Sequence, residues 1–559
     1  MAPFMVQSLY QYQLQRKDRR VILHSDDRRL YVSLPIQHRH VAKAIPGYRW
    51  DSERVAWTWP KSLVSYINLR EGFPGLEVDR DTSQWLRNAT TTPNWSSLPK
   101  PTVERWDDLR DYQQDGVNAL LSKKHVLLAD IMGTGKTVQA CAAISALPCQ
   151  RVLVLCPKST IYPWYEHAQE WAPEYTPYIL DGSTKKRKKF LDHLCKEPPK
   201  PLIAITNWEA ALYIDFSKYP WDIVIGDEAH RVRNRQTKTY KAVSKMHPER
   251  LWLLTGTPQH NGPQDIWALS HWLYPQDFSS YWQFYEAFVE YTDGYWGREI
   301  TGAKNLDKLS KVIAPFTLRR TELRGLPDKL PPIPVHLQLG KRERTLYQKV
   351  EHDILIEITT SEKLFIPGAL ARLTRLKQAA LDPALFGADK SFRSPKMDAA
   401  IDLIQDNPDE SFLIFSQYAE AAKKIFARLQ ELDVPVGLLI GATSGKDRQV
   451  QVQALQDGNI RVLCLTLGAG GEGLTLTGAN NAVMLDHAWN PATMAQAEAR
   501  IYRIGQTKIC RIYDLITIDT IDETIQAILT KKRESAEAVL SPLTVIKQHF
   551  GLGESYEED

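Results

Sequence analysis

Short apolar runs separated by amphipathic stretches occur in two series along this chain, and few folds accept that pattern. The first series is "HVLLAD" (125–130), "RVLVLCP" (151–157), "LIAIT" (202–206), "IVIGDE" (223–228) and "LWLLTGTP" (251–258). The second is "FLIFS" (412–416), "VGLLIG" (436–441), "IRVLCLT" (460–466), "AVMLD" (482–486) and "CRIYDLIT" (510–517). A brief apolar run bounded by turn residues reads as a strand buried on both faces. Alternating with helical segments, such strands build a parallel sheet covered by helices. Two series predict two α/β domains in tandem. A length of 559 residues is also too great for one hydrophobic core.

Composition narrows the class without deciding it. Hydrophobic content of 43% and charged content of 24% are those of a folded globular chain. No window approaches the ~18 apolar residues of a membrane span, and the first residues lack a secretory pattern. The expectation is an intracellular protein, cytoplasmic and nucleoid-associated in a bacterial or viral setting, with the nucleus as the alternative. Six cysteines (141, 149, 156, 195, 464, 510) show no CxxC or His-Cys spacing, which argues against disulfides and structural zinc. The net charge of +4 is small but uneven: residues 1–61 carry eleven Lys/Arg against five Asp/Glu, and the chain ends "GESYEED". A basic leading unit suits a phosphate-rich partner, and equally a solvated surface.

The organisation follows from changes of pattern. Residues 1–100 hold a small α+β unit with "RLYVSL" and "VAWTWP", closed by the Ser/Thr/Pro-rich "NATTTPNWSSLPKPT" (88–102), read as a linker. The first α/β lobe is expected over 101–325 with an aromatic-rich helical insertion at 262–312. A Pro-rich extended connector, "LPDKLPPIP", opens a helical insertion spanning 326–395. The second lobe covers 396–530, and 531–559 is a terminal helix with an acidic tail.

Three constellations carry chemistry. "ADIMGTGKT" (129–137) follows a strand and precedes a helix expected to open at Val138. The strict phosphate-loop pattern places Gly where this chain has Asp130, but Gly133, Thr134, Gly135, Lys136 and Thr137 remain. Backbone amides there wrap phosphates, Lys136 supplies a point charge, Thr137 reaches Mg²⁺, and the helix terminus adds its dipole. "GDEAH" (226–230) puts Asp227 and Glu228 at a strand tip, where one carboxylate holds Mg²⁺ and the other orients and deprotonates water. "QAEARIYRIGQTK" (496–508) reads as a helix carrying Gln496, Arg500 and Arg503 on nearby turns. Arginines set against a γ-phosphate stabilise phosphoryl transfer, which here requires the two lobes to close on ATP.

These motifs, in this order, resemble the Swi/Snf-type superfamily 2 helicase-like ATPases. The resemblance covers about residues 105–530 and includes "LRDYQQDGV" (109–117), "VLCPKSTIYPWYEHAQEW" (154–171), "ITNWE" (205–209), "LTGTPQHN" (254–261), "PFTLRR" (315–320), "LIFSQY" (413–418), "GATSGKDRQ" (441–449) and "DHAWNP" (486–491). It implies two tandem RecA-like lobes, ATP and Mg²⁺ as ligands, and double-stranded DNA as partner. It makes Gln113 the adenine reader and Asp130 an ordinary member of the loop. Lys136, Glu228, Arg500 and Arg503 become catalytic, with Gln496 and Asp227 beside the nucleotide. Lys158, Asn207, Trp208, Ser416, Gln417, Arg448 and Trp489 become DNA contacts.

The second-lobe loop "TLGAGGEGLTLTGAN" (466–480) departs from the usual form at Gly468, Glu472 and Thr475, so a phosphate contact there is lost or moved. Its "GLT" is closer to annealing helicases that remodel stalled forks. "VAKAIPGYRWDSERVAWTWP" (41–60) resembles the HARP module of those enzymes, with at least two of Trp50, Trp57 and Trp59 expected in its core and Lys43, Arg49 and Arg54 as outward phosphate contacts. The implied activity is ATP-dependent translocation on duplex DNA that remodels branched DNA, by a monomer. Protein displacement from DNA, strand separation and a decayed, non-enzymatic scaffold stand as rivals.

Overall fold

The computed structural model describes residues 21–194, 201–259, 262–294, 297–320, 330–360, 366–386, 392–470, 474–488, 491–503, 505–534 and 549–550. In the leading unit, β1 (Ile22–Ser25), β2 (Arg29–Val32), β3 (Arg49–Asp51), β4 (Ala56–Pro60) and β5 (Glu77–Val78) form a mixed sheet ordered β3-β4-β2-β1-β5. Strand alternation sends Leu30 and Val32 inward, where they meet Trp57, Trp59, Leu69 and Phe73. Trp50 remains 52% exposed, so two of the three tryptophans are core.

The helix Leu63–Gly72 starts where Ser62 accepts a hydrogen bond from the Ser65 amide at 3.1 Å. It joins the unit to the next domain, because Val64 and Ile67 enter that domain's core. Asn68 donates to the Gln283 carbonyl at 2.8 Å, and Gln283 donates to the Pro46 carbonyl at 2.7 Å. The stretch 88–102 is correspondingly no free linker. Its start lies in the helix Arg80–Thr90, and buried Trp95 packs into the following core while its carbonyl accepts from Asn118 at 3.1 Å. The turn-forming composition concealed one indole with enough apolar surface to anchor the segment.

The first lobe contains β6 (His125–Leu128), β7 (Arg151–Cys156), β8 (Thr176–Ile179), β9 (Leu202–Asn207), β10 (Ile223–Asp227) and β11 (Arg250–Leu254). Between β11 and the lobe's last strand, the segment expected to be helical contains the helices Gln264–Leu273, Tyr281–Phe288 and Leu306–Ile313, and also an antiparallel hairpin of β12 (Val289–Gly294) and β13 (Gly297–Ala303). The hairpin corrects that expectation: Val289 and Tyr291 alternate with Glu290 and Thr292, a period-two signal the helical spacing of the aromatics masked.

With β14 (Thr317–Leu318), the lobe's parallel sheet is ordered β14-β6-β11-β10-β7-β9-β8. The chain leaves β6 for β7 and later returns to insert β10 and β11 between them. Three segments far apart in sequence therefore end side by side, with Leu128, Leu254 and Asp227 in register at the carboxyl edge. That edge is where open α/β sheets bind ligands.

The second lobe holds β15 (Ile333–Leu337), β16 (Phe412–Ser416), β17 (Val436–Leu439), β18 (Val462–Thr466), β19 (Asn481–Met484) and β20 (Arg511–Thr517), parallel and ordered β15-β20-β19-β16-β18-β17. The Pro-rich connector thus ends as an edge strand, the place where Pro334 costs no ladder hydrogen bond. Two helices, Lys341–Thr360 and Ile366–Leu381, form an accessory layer with its own core around Tyr347, Leu373 and Leu376. The helix Ile521–Glu534 follows β20, and most of the expected terminal tail lies outside the described residues. Among the described residues no helix is long and apolar enough to cross a membrane.

Candidate functional site

The phosphate loop leaves β6 and turns into the helix Lys136–Ser145. The helix opens two residues earlier than Val138, because Gly135 adopts φ 69° and turns the chain directly into its first turn. Gly133, at φ 83°, makes the other left-handed bend. Lys136 and Thr137 consequently sit in the first turn, where backbone amides have no helical acceptor. Lys136 is buried, and its ammonium donates to the Asp130 carbonyl at 2.9 Å and the Ile131 carbonyl at 3.1 Å. Burial lowers its pKa, opposed by Glu228, Asp130 and Asp227. Gln113, also buried, donates to the Thr134 carbonyl at 3.2 Å and accepts from the Arg110 amide at 3.1 Å, so it is tied to the loop.

Asp227 ends β10 beside this loop. Its Oδ2 accepts from Trp164 Nε1 at 2.9 Å and its Oδ1 from the Glu228 amide at 3.0 Å. Glu228 adopts φ 50°, a conformation costly for a side chain of this size and typical of residues aimed for function. His230 Nδ1 lies 3.3 Å from Glu228 Oε2 and 3.3 Å from Thr255 Oγ1, bridging the acidic pair to the segment after β11.

The two carboxyls are driven apart. Burial and the neighbouring Glu228 charge push Asp227 up to about 6. Burial would also raise Glu228, but His230, Lys136 and Arg500 outweigh it and hold the group at about 2. Glu228 is thus an ionised acceptor at neutral pH.

The donor set fits a hard divalent cation. Each Asp227 oxygen keeps a lone pair, and Thr137 offers a hydroxyl one turn from the loop. Among the described residues no three His, Cys, Asp or Glu are placed to hold a metal ion between them. Asp227 and Thr137 would therefore hold Mg²⁺ with nucleotide phosphates supplying further oxygens, as this ion prefers.

The second lobe completes the site. The helix Pro491–Glu498 ends before the arginines, contrary to the expected helix through 503. The Arg500 amide bonds the Ala497 carbonyl at 3.1 Å, a tightened turn, and the Arg500 carbonyl accepts from Leu476 at 3.2 Å, which draws the chain out of the helix. Arg500 and Arg503 both donate to the Leu474 carbonyl, at 3.0 and 3.1 Å, and Arg500 Nε donates to the Gln496 carbonyl at 3.0 Å. Arg503 crosses to the first lobe: a Cβ on Gly133 would lie 3.1 Å from Arg503 Cγ. The Glu228 and Asp227 charges act on Arg503 across the cleft.

The residues expected to touch nucleic acid divide. Lys158 is exposed, whereas Asn207 is half-buried and donates to Glu209 Oε2 at 2.7 Å. Arg448 is half-buried and donates to the Ala469 carbonyl at 2.6 Å. Gln417 is half-buried beside Lys377, its amide bonded to Asp486 Oδ1 at 3.0 Å.

Trp208 and Ser416 are corrections. Trp208 is 1% exposed and donates to the Asp227 carbonyl at 2.8 Å, supporting the acidic strand tip from behind. Ser416 is fully buried and donates to Asp486 Oδ2 at 2.5 Å. Both lie at strand ends, where a motif's polar residues often close the sheet edge. Trp489 and Glu472 fall outside the described residues.

On the leading unit, Lys43 and Arg49 are exposed. Arg54 is exposed as well, but its guanidinium meets Asp26 at 2.8 Å and Asp51 at 3.4 Å, which leaves less charge for a phosphate. The run "KKRKK" (185–189) lies in the helix Thr184–Leu194, with its four lysines exposed.

Reasoning from sequence missed Arg320. Its guanidinium and amide bind fully buried Asp130, with Nε to Oδ1 at 3.0 Å and the amide to Oδ1 at 2.9 Å. The available signal was Asp130 itself, since an acid placed directly after an apolar strand needs donors that its neighbours in sequence do not supply.

The SNF2-related domain model matches residues 112–385, and the helicase conserved C-terminal domain model matches residues 395–505. Among curated proteins, a putative ATP-dependent helicase/translocase YwqA of Bacillus subtilis is 29% identical over 84% of this chain and 53% of its own length. The human SWI/SNF-related matrix-associated actin-dependent regulator of chromatin subfamily A member 1 is 30% identical over 76% of this chain and 43% of its own length. The chain spans about half the length of the curated relatives it matches. Among solved structures, the Sulfolobus solfataricus SWI2/SNF2 ATPase core in complex with dsDNA is 28% identical, covers 82% of this chain and 97% of its own, and superposes with a TM-score of 0.38.

Proposed function

The chain joins an SNF2-related domain to a helicase conserved C-terminal domain, and from that premise we propose that it is a DNA-dependent ATPase that translocates along duplex DNA. One observation carries this reading: Arg503 of the second lobe lies against Gly133 of the first, so a phosphate chain on the loop is enclosed by charge from both lobes.

Gln113 reads adenine, amides of the Gly133–Thr137 loop and Lys136 bind phosphates, and ionised Glu228 accepts the proton of the attacking water. Bound Mg²⁺, held by Asp227 and Thr137, neutralises phosphate charge. Arg500 and Arg503 stabilise the charge of transfer, a contribution typically worth ~10³–10⁵ in rate. Since they arrive only when the lobes close, each turnover is a lobe movement, and a duplex gripped by both lobes is moved with them. Exposed Lys158, with Asn207, Gln417 and Arg448, grips the duplex through phosphates, which makes binding salt-sensitive and weakly sequence-specific.

The finer reading is remodelling of branched DNA by annealing, fork regression or branch migration. It rests on the HARP resemblance and on a leading unit that presents Lys43, Arg49 and exposed Trp50 while seated on the first lobe. The test is ATPase rate with no DNA, single strand, linear duplex and a model fork. Greatest stimulation by the fork, lost when the exposed Lys43, Arg49 and Trp50 are replaced together by alanine, supports remodelling. Equal stimulation by linear duplex leaves a general translocase, and no stimulation by any DNA overturns the proposal.

A further inference from the structure

The Asp130–Arg320 pair lies outside the groups assigned above, yet through the Asp130 carbonyl it holds one of them, Lys136. Asp130 occupies the loop position at which the strict pattern has glycine. Its side chain is fully buried and binds Arg320 through both oxygens, with Nη2 to Oδ2 at 2.5 Å and Nε to Oδ1 at 3.0 Å. Its carbonyl, on the same residue, accepts the Lys136 ammonium at 2.9 Å. Any backbone shift at Asp130 therefore moves the acceptor that parks the Lys136 ammonium.

Arg320 has two further attachments. Nη1 donates to the Tyr112 carbonyl at 2.5 Å and meets Asp115 at 3.4 Å, in the helix that carries Gln113. Its own carbonyl accepts from the Ile131 amide at 3.0 Å, and the Leu318 carbonyl accepts from the Ala129 amide at 2.7 Å. β14 and Arg320 thus run alongside the phosphate loop as a continuation of the β14–β6 ladder.

We propose that Arg320 is a positioning residue that holds the phosphate loop in its nucleotide-receiving shape through Asp130 and ties that shape to the helix that carries Gln113. The proposal rests on the reading that this loop binds ATP. A buried carboxylate needs a cation, and only a planar guanidinium meets both of its oxygens while donating to Tyr112 from the same plane. Lysine keeps the charge but contacts one oxygen at a time, so the loop remains folded and loses its fixed orientation.

The experiment uses the full chain with Arg320→Lys, Arg320→Met and the double variant Arg320→Met/Asp130→Asn. Three quantities are measured: affinity for a fluorescent ATP analogue, KM and kcat for ATP with saturating duplex, and melting temperature. Arg320→Lys is expected to melt near the wild type while KM rises about tenfold and kcat changes less. Arg320→Met melts lower, because Asp130 is left buried without its counter-charge, keeping only the residue-320 amide. The double variant recovers melting temperature by removing that charge but keeps the raised KM and weakened analogue affinity.

If Arg320→Lys held KM and analogue affinity within about twofold of wild type, or the double variant restored both, the pair would be structural and the proposal overturned. Failure of the ATPase reading would instead appear in the wild type, which would neither bind the analogue nor turn over ATP.

Discussion

The two lobes share a parallel sheet and put polar residues at the same edge, yet they treat those residues oppositely. In the first lobe, Asp227 at the tip of β10 faces the phosphate loop, and Trp164 and Trp208 support it from its own side of the cleft. In the second, Asp486 just beyond β19 folds back onto its own sheet, accepting from Ser416 Oγ and the Gln417 amide. Asp227 is braced beside the phosphate loop by an indole and its neighbour's amide, whereas Asp486 ties the end of one strand to the next. A shared scaffold therefore carries a candidate ligand site in one copy and a rigid platform in the other, and the platform reaches that site through Arg503, packed on Gly133.

Several substitutions can break this division of labour, beginning with the largest effect. Lys136→Ala should abolish both ATP binding and turnover with folding intact, and substantial residual turnover would remove the loop from the site. Arg503→Ala should bind ATP and DNA normally while turnover falls by ~10³–10⁵. Unchanged rates would shift the finger role to Arg500. Glu228→Gln should bind ATP and lose about 10²–10⁴ in turnover, the range of a general base, and normal turnover would end that assignment.

Smaller effects sharpen the contrast. Asp486→Ala leaves the buried Ser416 hydroxyl without its acceptor and the Gln417 amide unpaired, so unfolding should need about 1–3 kcal/mol less with affinity for ATP unaltered. A loss of ATP affinity would mean that the second-lobe acid is more than a platform. Trp208→Phe removes one buried hydrogen bond and should cost about 1 kcal/mol without changing the salt dependence of DNA binding, whereas Lys158→Ala should flatten that dependence by about one unit of slope. A flatter slope for Trp208→Phe would restore it as a DNA contact.

Where prediction from sequence worked and failed has a physical pattern. The strands were legible because buried parallel strands are uninterrupted apolar runs. The hairpin at 289–303 was missed because its aromatics also fit a helical period, and Trp95 was missed because one indole does not alter the composition of a Ser/Thr/Pro stretch. Trp208 and Ser416 were misread because motif membership reports that a residue matters, not the direction in which it points. Only burial distinguishes a residue that touches a partner from one that holds the strand end beneath it.

By itself the sequence determined what local rules can specify: two parallel α/β lobes, a glycine-bent phosphate loop, an acidic pair at a strand end and an arginine-bearing segment. Tertiary structure alone decided which of these meet. Strand order brings Leu128, Asp227 and Leu254 level although they are scattered over more than a hundred residues. Lobe closure sets Arg503 on Gly133, and the return of the chain through β14 delivers Arg320 to Asp130. Periodicity and turn chemistry act over a few residues, whereas strand order and charge pairing in a buried site depend on where distant segments are packed.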